Sequence, residues 1–203
     1  MSVIWGASGF YHDAAISVIK NGYLVFASSS ERYSRTKNDP NICDGLIKAC
    51  LEFGQPDCIV WYESPAKRLL RGLLIDRRWV YKSPSHLFKS YGIKAPIKTI
   101  SHHEAHLNAS LYTAPFNTNK TLGAIVDSVG EFTSTSFWKI DYTKKTQLQA
   151  NYYPNSLGLF YSSITQLLGL KPQEEEYIMM GMAAYGDSDD YYYILKKLLF
   201  DKS

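Results

Sequence analysis

An Asn-Gly pair close to the start of the chain constrains the fold more than any other feature of the sequence. The turn Lys20-Asn21-Gly22 separates two β-prone runs, Ala15 to Ile19 and Tyr23 to Ala27. An Asn-Gly pair in this setting is the strongest short-range signal for a β-hairpin. A β-rich segment over residues 2–7 precedes the hairpin and runs into Gly6-Ala7-Ser8-Gly9. The chain is therefore predicted to open as a strand, a glycine-containing loop and a hairpin.

Beyond the hairpin, strand-like and helical patterns alternate along the chain. Short apolar or β-branched runs predict strands at 58–62, 98–101, 122–126 and 132–140. Apolar residues at helical spacing and helix start signals predict helices at 41–53, from 102 onwards, and at 156–168, 174–184 and 188–200. Residues 66–90 are predicted to be helical in pieces, with a break near Ser83-Pro84. This alternation after an antiparallel opening predicts an α/β domain on a mixed sheet.

The composition fits a folded protein of the cytoplasm. With 203 residues, 45% of them hydrophobic and 14% aromatic, the chain can bury a core as one large domain or two joined small ones. Its three cysteines are odd in number and lack the close pairs of a zinc site, so we expect reduced thiols. No signal peptide or membrane span is expected from the sequence.

Positive charge is concentrated between Lys67 and Lys98. This stretch holds nine basic residues against one acidic residue, Asp76, although the net charge of the whole chain is only +3. Such a stretch can attract a nucleotide, a phosphate ester or a nucleic acid. The alternative is an ordinary solvated helix face. The stretch lacks the Gly-aromatic pattern of an RNA-binding sheet.

Three of the five histidines fall within five positions, in His102-His103-Glu104-Ala105-His106. His102 and His106 are spaced i, i+4, which on a helix puts both imidazoles on one face, close enough to share a metal ion. The zinc-protease pattern requires Glu directly after the first His, where this chain has His103, so a peptidase is disfavoured. A carboxylate from elsewhere would complete a facial triad for a divalent metal. The alternative is a histidine pair that caps a helix start or contacts core carbonyls.

Three further segments carry candidate chemistry. Val126-Asp127-Ser128-Val129-Gly130-Glu131 follows an apolar strand, where a carboxylate and small residues suit a metal or a phosphate, although turn aspartates are common. The loop Gly6 to Asp13 could present N–H groups to a phosphate, with His12 as a base, or be simply a tight turn. In Glu31 to Lys37, cations after a strand could hold an anion or form surface ion pairs.

Taken in order, these segments resemble the antibiotic and nodulation-type O-carbamoyltransferases, whose first part is related to the tRNA threonylcarbamoyl-transfer enzymes. The matching stretches are Ser8-Gly9-Phe10-Tyr11-His12-Asp13-Ala14-Ala15, Glu31-Arg32-Tyr33-Ser34-Arg35-Thr36-Lys37, His102-His103-Glu104-Ala105-His106, Val126-Asp127-Ser128-Val129-Gly130-Glu131, Ser156-Leu157-Gly158-Leu159-Phe160-Tyr161 and Glu176-Tyr177-Ile178-Met179-Met180-Gly181-Met182-Ala183-Ala184-Tyr185-Gly186. Six matches in sequence order are specific, although each one alone is weak.

The resemblance implies an actin/sugar-kinase-like (ribonuclease H-like) fold and a set of site residues. It makes His102, His106 and Asp127 ligands of one divalent metal, expected to be Fe(II). It implies that His12 is a base beside the acceptor hydroxyl and that Lys37 binds the phosphate of the carbamoyl donor. Substrate-binding positions are expected at Ser8, Gly9, Ser128, Gly130, Glu131, Met180 and Gly181. In the family, a separate domain makes carbamoyl-adenylate, using carbamoyl phosphate and Mg-ATP.

The resemblance also implies an incomplete enzyme. Residues 1–203 are expected to form the N-terminal lobe, while the second lobe, with a fourth metal ligand, and the adenylate-forming domain lie outside this sequence. We therefore expect a partner chain or a further C-terminal part, and no activity from this chain alone. The acceptor would be a hydroxyl-bearing small molecule or nucleotide.

Some positions depart from the family pattern, and other functions remain open. Ser128 stands where a Gly is usual, Ile178 where a Lys is common and Ala184 where a Pro is usual. The alternatives are a tRNA threonylcarbamoyl-transfer subunit and a non-catalytic binding or regulatory module that keeps the lobe. A protein that binds nucleic acid through residues 67–98 is a third.

Overall fold

The computed structural model describes residues 1–76, 82–115 and 117–200. These residues form a five-stranded sheet and a three-stranded sheet, with helices packed against both. Of the basic stretch, residues 77–81 lie outside the described residues. The predicted mixed-sheet α/β class is confirmed.

The first sheet follows from the predicted hairpin. Its strands are β1 (Val3–Ser8), β2 (Ala15–Lys20), β3 (Tyr23–Ser29), β4 (Cys58–Trp61) and β5 (Ile97–Thr99). Asn21 and Gly22 both have positive φ, 54° and 87°, as a two-residue hairpin turn requires. The hairpin prediction is confirmed.

The strand order of this sheet is β3-β2-β1-β4-β5. The first three strands are antiparallel, and β4 and β5 join the other edge of β1 in parallel. The carboxyl ends of the parallel strands β1, β4 and β5 therefore lie at one edge of the sheet. Strand β1 leads there into Ser8, Gly9 and His12, and β5 into His102 and His106.

The larger core lies under the first sheet. Alternate residues of β1 are buried, and Trp5 and Trp61 are almost completely inaccessible. Helix α2 (Asp44–Leu51) covers the sheet with Leu46, Ile47 and Cys50, which are buried at helical spacing. Burial raises the pKa of the Cys50 thiol to about 12, so this thiol is inert as a nucleophile.

Serine side chains cap the N-termini of four of the helices. Ser64, Ser83, Ser101 and Ser156 each accept a hydrogen bond from the N–H three residues on, which satisfies one of the free N–H groups of a helix start. These helices are α3 (Pro65–Arg71), α4 (Pro84–Ser90), α5 (His102–Thr113) and α6 (Leu157–Leu167). The predicted break near Ser83-Pro84 is the start of α4.

The remaining helices are short or terminal. They are α1 (Glu31–Ser34), α7 (Glu176–Met182) and α8 (Asp189–Phe200), with a π turn at Gly72–Asp76 after α3 and a 3₁₀ turn at Ala183–Tyr185 after α7. The predicted helices at 41–53, 156–168, 174–184 and 188–200 are all present, within a few residues at each end.

The second sheet is an antiparallel meander of β6 (Lys120–Gly130), β7 (Thr133–Asp141) and β8 (Lys144–Tyr152). Helix α5 packs on it through Leu107, which forms a small core with Ile125 and Ile140. The predicted strands at 122–126 and 132–140 are the centres of β6 and β7, whereas β8 was not predicted.

None of the helices in the described part of the chain has both the length and the apolar character needed to cross a membrane.

Candidate functional site

Helix α5 presents two histidines on one face. Ser101 caps the helix, so His102 lies in its first turn and His106 one turn later. Their Nε2 atoms are 3.0 Å apart and their ring centroids 4.8 Å apart. The side chain of His102 is mostly covered, whereas that of His106 is half exposed. The two nitrogens therefore point into one shared space that solvent can reach from the side of His106.

Asp127 reaches the same space from the second sheet. Its Oδ2 lies 2.9 Å from Nε2 of His102 and 4.0 Å from Nε2 of His106. One ligand atom from each of the three residues lies within 4.8 Å of the others. The structure thus brings together the three residues for which a common metal was predicted.

A β-bulge, not a strand end, aims Asp127. Strand β6 continues to Gly130, and its pairing with β7 is interrupted between Val126 and Gly130. The prediction that Asp127 follows the strand is therefore corrected: it lies inside the irregular segment. A bulge breaks the strict alternation of side chains and redirects one of them, which is why bulges occur beside active sites.

The electrostatics of the cluster favour an ionised carboxylate on Asp127 and a neutral imidazole on His106. Burial alone would raise the pKa of Asp127, but the hydrogen bond and charge of His102 and the N–H of Ser128 outweigh it and lower the pKa to about 2. Burial and the nearby His102 lower the pKa of His106. Both groups are thus held in the protonation states that bind a metal.

Two glycines allow the close packing of this site. A Cβ on Gly130 would lie 2.2 Å from Cδ2 of His102, so the imidazole rests directly on the glycine backbone. A Cβ on Gly158 would lie 2.6 Å from both Cα and N of Ser128. The start of α6 therefore packs against the backbone of the Asp127 bulge, and the Ser156 hydroxyl donates to the Ser128 carbonyl at 2.6 Å.

The donor set suits a divalent metal ion. Two imidazole nitrogens and one carboxylate oxygen form the facial triad typical of non-haem iron sites, which leaves further coordination positions open. The convergence of Nε2 of His102, Nε2 of His106 and Oδ2 of Asp127 fits such an ion.

His103 lies next to the cluster but faces away from it. It is buried, with Nδ1 2.7 Å from the Ser136 hydroxyl and Nε2 3.0 Å from the Thr133 carbonyl. Burial lowers its pKa. No role was predicted for His103, because the i, i+4 pattern concerns only His102 and His106. The available signal was that His103 is a polar residue on the helix face that also carries Leu107.

Tyr62 connects the first sheet to the cluster and was also missed. It follows β4, its ring lies 5.5 Å from that of His102, and its hydroxyl donates to the Gly9 carbonyl at 3.2 Å. Burial, together with the neighbouring Glu63, raises the pKa of Tyr62, so the phenol stays protonated as a donor. The loop after β1 is thereby linked to a predicted metal ligand through one side chain.

His12 stands on that loop, exposed to solvent. Its Nδ1 lies 2.8 Å from a carboxylate oxygen of Asp13. An ionised carboxylate can only accept, so Nδ1 is the ring nitrogen that donates to Asp13 and Nε2 faces away from that bond. The role of base remains a prediction for His12.

Lys37 contacts the last predicted motif across the site. Its Nζ lies 3.4 Å from the Tyr177 hydroxyl and 5.1 Å from the centre of the Tyr177 ring. On α7, Met180 and Gly181 are exposed. The Tyr11 hydroxyl donates to the Gln173 side chain just before this helix. The structure thus places residues 173–177 against the loops that carry His12 and Lys37.

The other predicted substrate-binding residues lie around the two loops. Ser8 ends β1 and is half-buried, and Gly9 is buried. The N–H of Ser128 donates to Oδ1 of Asp127 at 2.7 Å. Glu131 is buried, and both of its carboxylate oxygens have protein partners. Its role in binding substrate remains a prediction.

Those partners tie the second sheet to α3. The Ser64 N–H donates to one oxygen of Glu131 at 2.8 Å and Nζ of Lys67 to the other at 3.0 Å. A guanidinium nitrogen of Arg71 donates to the Val129 carbonyl at 3.2 Å. The turn between β6 and β7 is therefore held by the helix that follows β4.

Arg68 completes this polar contact on the first sheet. It donates to Glu63 at 2.6 Å and to the Phe10 carbonyl at 2.6 Å. At least three cations of the basic stretch, Lys67, Arg68 and Arg71, therefore make internal contacts near the site. They support the loops around the cluster, in addition to any role in attracting an anion.

The second half of the chain matches a known protein family. Residues 86–202, more than half of the chain, match the family model described as Carbamoyltransferase N-terminus. The matched segment includes the three clustered residues, His102, His106 and Asp127.

Individual proteins are similar over more of the chain. An uncharacterized protein of Synechocystis sp. is 31% identical over 233 residues, covering 98% of this chain and 37% of that protein. The nodulation protein NolNO of Sinorhizobium fredii is 27% identical over 205 residues, covering 88% of this chain and 28% of that protein. The chain thus spans roughly a third of the length of these curated relatives. The structure of YeaZ from Pseudomonas aeruginosa aligns with a TM-score of 0.45 at 9% identity, over 76% of this chain and 68% of that one.

Proposed function

The chain belongs to the Carbamoyltransferase N-terminus family, and we propose that it forms the N-terminal, metal-binding part of an enzyme that transfers a carbamoyl group to a hydroxyl. The convergence of His102, His106 and Asp127 carries this proposal. The donor would be carbamoyl-adenylate, formed from carbamoyl phosphate and Mg-ATP in another part of the enzyme. The acceptor would be a hydroxyl-bearing small molecule or nucleotide.

In this proposal the three clustered residues hold one divalent metal ion, Fe(II). When bound, the ion polarises the carbonyl of the donor and offsets the negative charge that develops on it. The chain provides the matching donor set and the low pKa of Asp127, which keeps the carboxylate ionised. The half-exposed His106 marks the side from which substrate would approach.

His12 is proposed as the base that takes the proton of the acceptor hydroxyl. The carboxylate of Asp13 orients the ring through Nδ1 and would stabilise the imidazolium once Nε2 has accepted the proton. The acceptor oxygen then forms a bond to the carbamoyl carbon as the bond from that carbon to the adenylate oxygen breaks.

Lys37 is proposed to bind the phosphate of the donor. Its ammonium group lies beside the hydroxyl and ring of Tyr177, so it is held near the site without a carboxylate to neutralise it in those contacts. A point charge with three donors suits a phosphate. The small residues Ser8, Gly9 and Ser128 are proposed to lie against the same donor molecule.

The rest of the enzyme is proposed to cover apolar surface on the second half of this chain. Leu122 on β6 is 75% exposed, Leu167 at the end of α6 80% and Ile194 on α8 62%. Contiguous exposed apolar patches mark sites of association, and these residues are proposed to contribute to such surfaces. The remaining part would come from a partner chain or from a longer protein, as in relatives of which this chain spans roughly a third.

The test joins the chain to the rest of the enzyme. The complex would be incubated with ¹³C-labelled carbamoyl phosphate, ATP and a small-molecule extract, and labelled products detected by mass spectrometry. We expect a carbamoylated product that requires both carbamoyl phosphate and ATP. It should be lost in His106→Ala and kept in His86→Gln, which changes an exposed histidine of α4.

Two outcomes would count against the proposal. The same labelled product in His106→Ala as in the unchanged protein would remove the metal cluster from the reaction. Label found on tRNA and on no small molecule would identify a tRNA threonylcarbamoyl-transfer subunit in place of the proposed enzyme.

A further inference from the structure

His103 is a buried polar residue whose hydrogen bonds are fully directed. Its side chain faces β7, with Nδ1 at the Ser136 hydroxyl and Nε2 at the Thr133 carbonyl. A carbonyl can only accept, so Nε2 carries the hydrogen and Nδ1 must accept. Ser136 therefore donates its hydroxyl hydrogen to Nδ1. The Trp138 Nε1–H, which can only donate, fills the other side of the Ser136 oxygen at 2.8 Å.

This chain of bonds ties α5 to the second sheet at a defined rotation. Within α5 the buried residues are His103 and Leu107, one turn apart. Leu107 packs over Gly123, since a Cβ added to Gly123 would lie 2.4 Å from Cδ1 of Leu107. This contact is apolar and involves no directional bonds. Among the described residues, the hydrogen bonds between α5 and β7 are those of His103, while Lys145 of β8 donates to Asn108 on the same helix.

We infer that His103 is the positioning residue of the proposed metal centre, holding α5 so that His102 and His106 face Asp127. The inference rests on the proposed metal-binding function. With both ring nitrogens engaged on β7, His103 is not itself a ligand. It acts through the helix that carries its two neighbours.

The geometry leaves little tolerance for rotation of α5. Side-chain atoms extend about 6 Å from a helix axis, so a rotation of about 20° would move an imidazole nitrogen by about 2 Å. Metal–ligand distances tolerate only about 0.2 Å. A small loss of register on β7 would therefore separate His102 and His106 from Asp127, even with all three residues present.

Three substitutions separate the two bonds of His103. In His103→Asn, Oδ1 can take the place of Nδ1 and keep the Ser136 bond. In His103→Gln, the amide Nε2 can take the place of the ring Nε2 and keep the Thr133 bond. In His103→Leu, an apolar side chain of similar length remains and both hydrogen bonds are removed. Ser136→Ala removes the donor to Nδ1 without touching the helix. His86→Gln is the matched control, because it alters an exposed histidine on another helix.

The experiment titrates the full chain with Co²⁺ as a spectroscopic probe. We expect His103→Leu to lower Co²⁺ affinity at least tenfold, the scale seen when residues that support metal ligands are lost. His103→Asn and His103→Gln should fall between it and the unchanged protein. The visible Co²⁺ spectrum should change in all three, while His86→Gln keeps both affinity and spectrum. Circular dichroism identifies any variant that fails to fold. If a His103 variant fails to fold, Co²⁺ titration of Ser136→Ala tests the bond to Nδ1 with the sequence of α5 unaltered.

A second readout needs no metal. Nitrogen-15 NMR of the histidine rings at neutral pH should show His103 as the Nε2–H tautomer, and Ser136→Ala should shift its Nδ1 signal. Unchanged Co²⁺ affinity and spectrum in folded His103→Leu would overturn the inference while leaving the metal centre intact. Absence of Co²⁺ binding by the unchanged protein would overturn the proposed centre, and with it this inference.

Discussion

Replacing Gly130 with alanine should displace His102, a proposed metal ligand, without altering any of the three proposed ligands. The added methyl would lie 2.2 Å from Cδ2, 2.6 Å from Cγ and 2.9 Å from Cβ of His102. Carbon atoms in contact prefer about 3.5–4.0 Å, so the ring must move by about 1.3 Å or more. Gly130 does not have a positive φ, and backbone strain therefore adds nothing to the effect.

The size of this displacement sets the expected result. A shift of about 1.3 Å is several times the tolerance of about 0.2 Å for a metal–ligand bond. We expect Gly130→Ala to weaken Co²⁺ binding by about 100-fold, equivalent to about 2.7 kcal/mol. The unfolding free energy without metal should fall by about 1–3 kcal/mol, as for other overpacked sites.

Calorimetric titration with Co²⁺ and urea unfolding followed by circular dichroism measure the two effects. Gly186→Ala is the control, because a Cβ there would find its nearest neighbour at 3.8 Å and the residue has an ordinary φ of −100°. Gly130→Ala with the affinity and stability of the unchanged protein would show that His102 does not rest on this glycine, and the reasoning would be wrong.

Three further changes test the surroundings of the site. Gly158→Ala should destabilise the chain by about 1–3 kcal/mol in urea unfolding, since the new methyl meets the Ser128 backbone; the gain of about 1 kcal/mol usual for Gly→Ala in a helix would refute this contact. Glu131→Gln should cost about 1 kcal/mol, because Lys67 loses its anionic partner, and an unchanged urea midpoint would show that the tie to α3 is not stabilising. Burial would raise the pKa of Glu176, but hydrogen bonds from the Ser162 hydroxyl and the Gln173 N–H hold it below its usual 4.5. The stability from Glu176 is therefore present above pH 4.5 and lost as the pH falls through the lowered pKa of the folded protein, so Glu176→Gln should lower the thermal midpoint more at pH 7 than at pH 3; equal deficits at both pH values would contradict this sign.

The sequence predicted those elements whose signals are local. The Asn21-Gly22 turn and the spacing of apolar residues in α2 act over a few positions, and the structure has both. Strand β8 lacked such a signal. Its Lys, Gln and Thr residues lie on an exposed edge, so the apolar alternation that marks a half-buried strand is weak.

The candidate site depended more on long-range contacts. The spacing of His102 and His106 placed them on one helix face, but the bulge that aims Asp127 arises from the pairing of β6 with β7, which one strand cannot encode alone. The same holds for His103, whose partners on β7 lie 33 and 30 residues away. The need for glycine at position 130 likewise appears only when α5 lies on the sheet.

The central claim is that His102, His106 and Asp127 bind one metal ion. X-ray absorption at the metal edge of the full chain loaded with Fe(II) measures the ligands directly. We predict one ion per chain, with two imidazoles and at least one carboxylate oxygen, and the loss of one imidazole in His106→Ala. Failure to bind a stoichiometric ion, or identical coordination in His106→Ala, would contradict the claim.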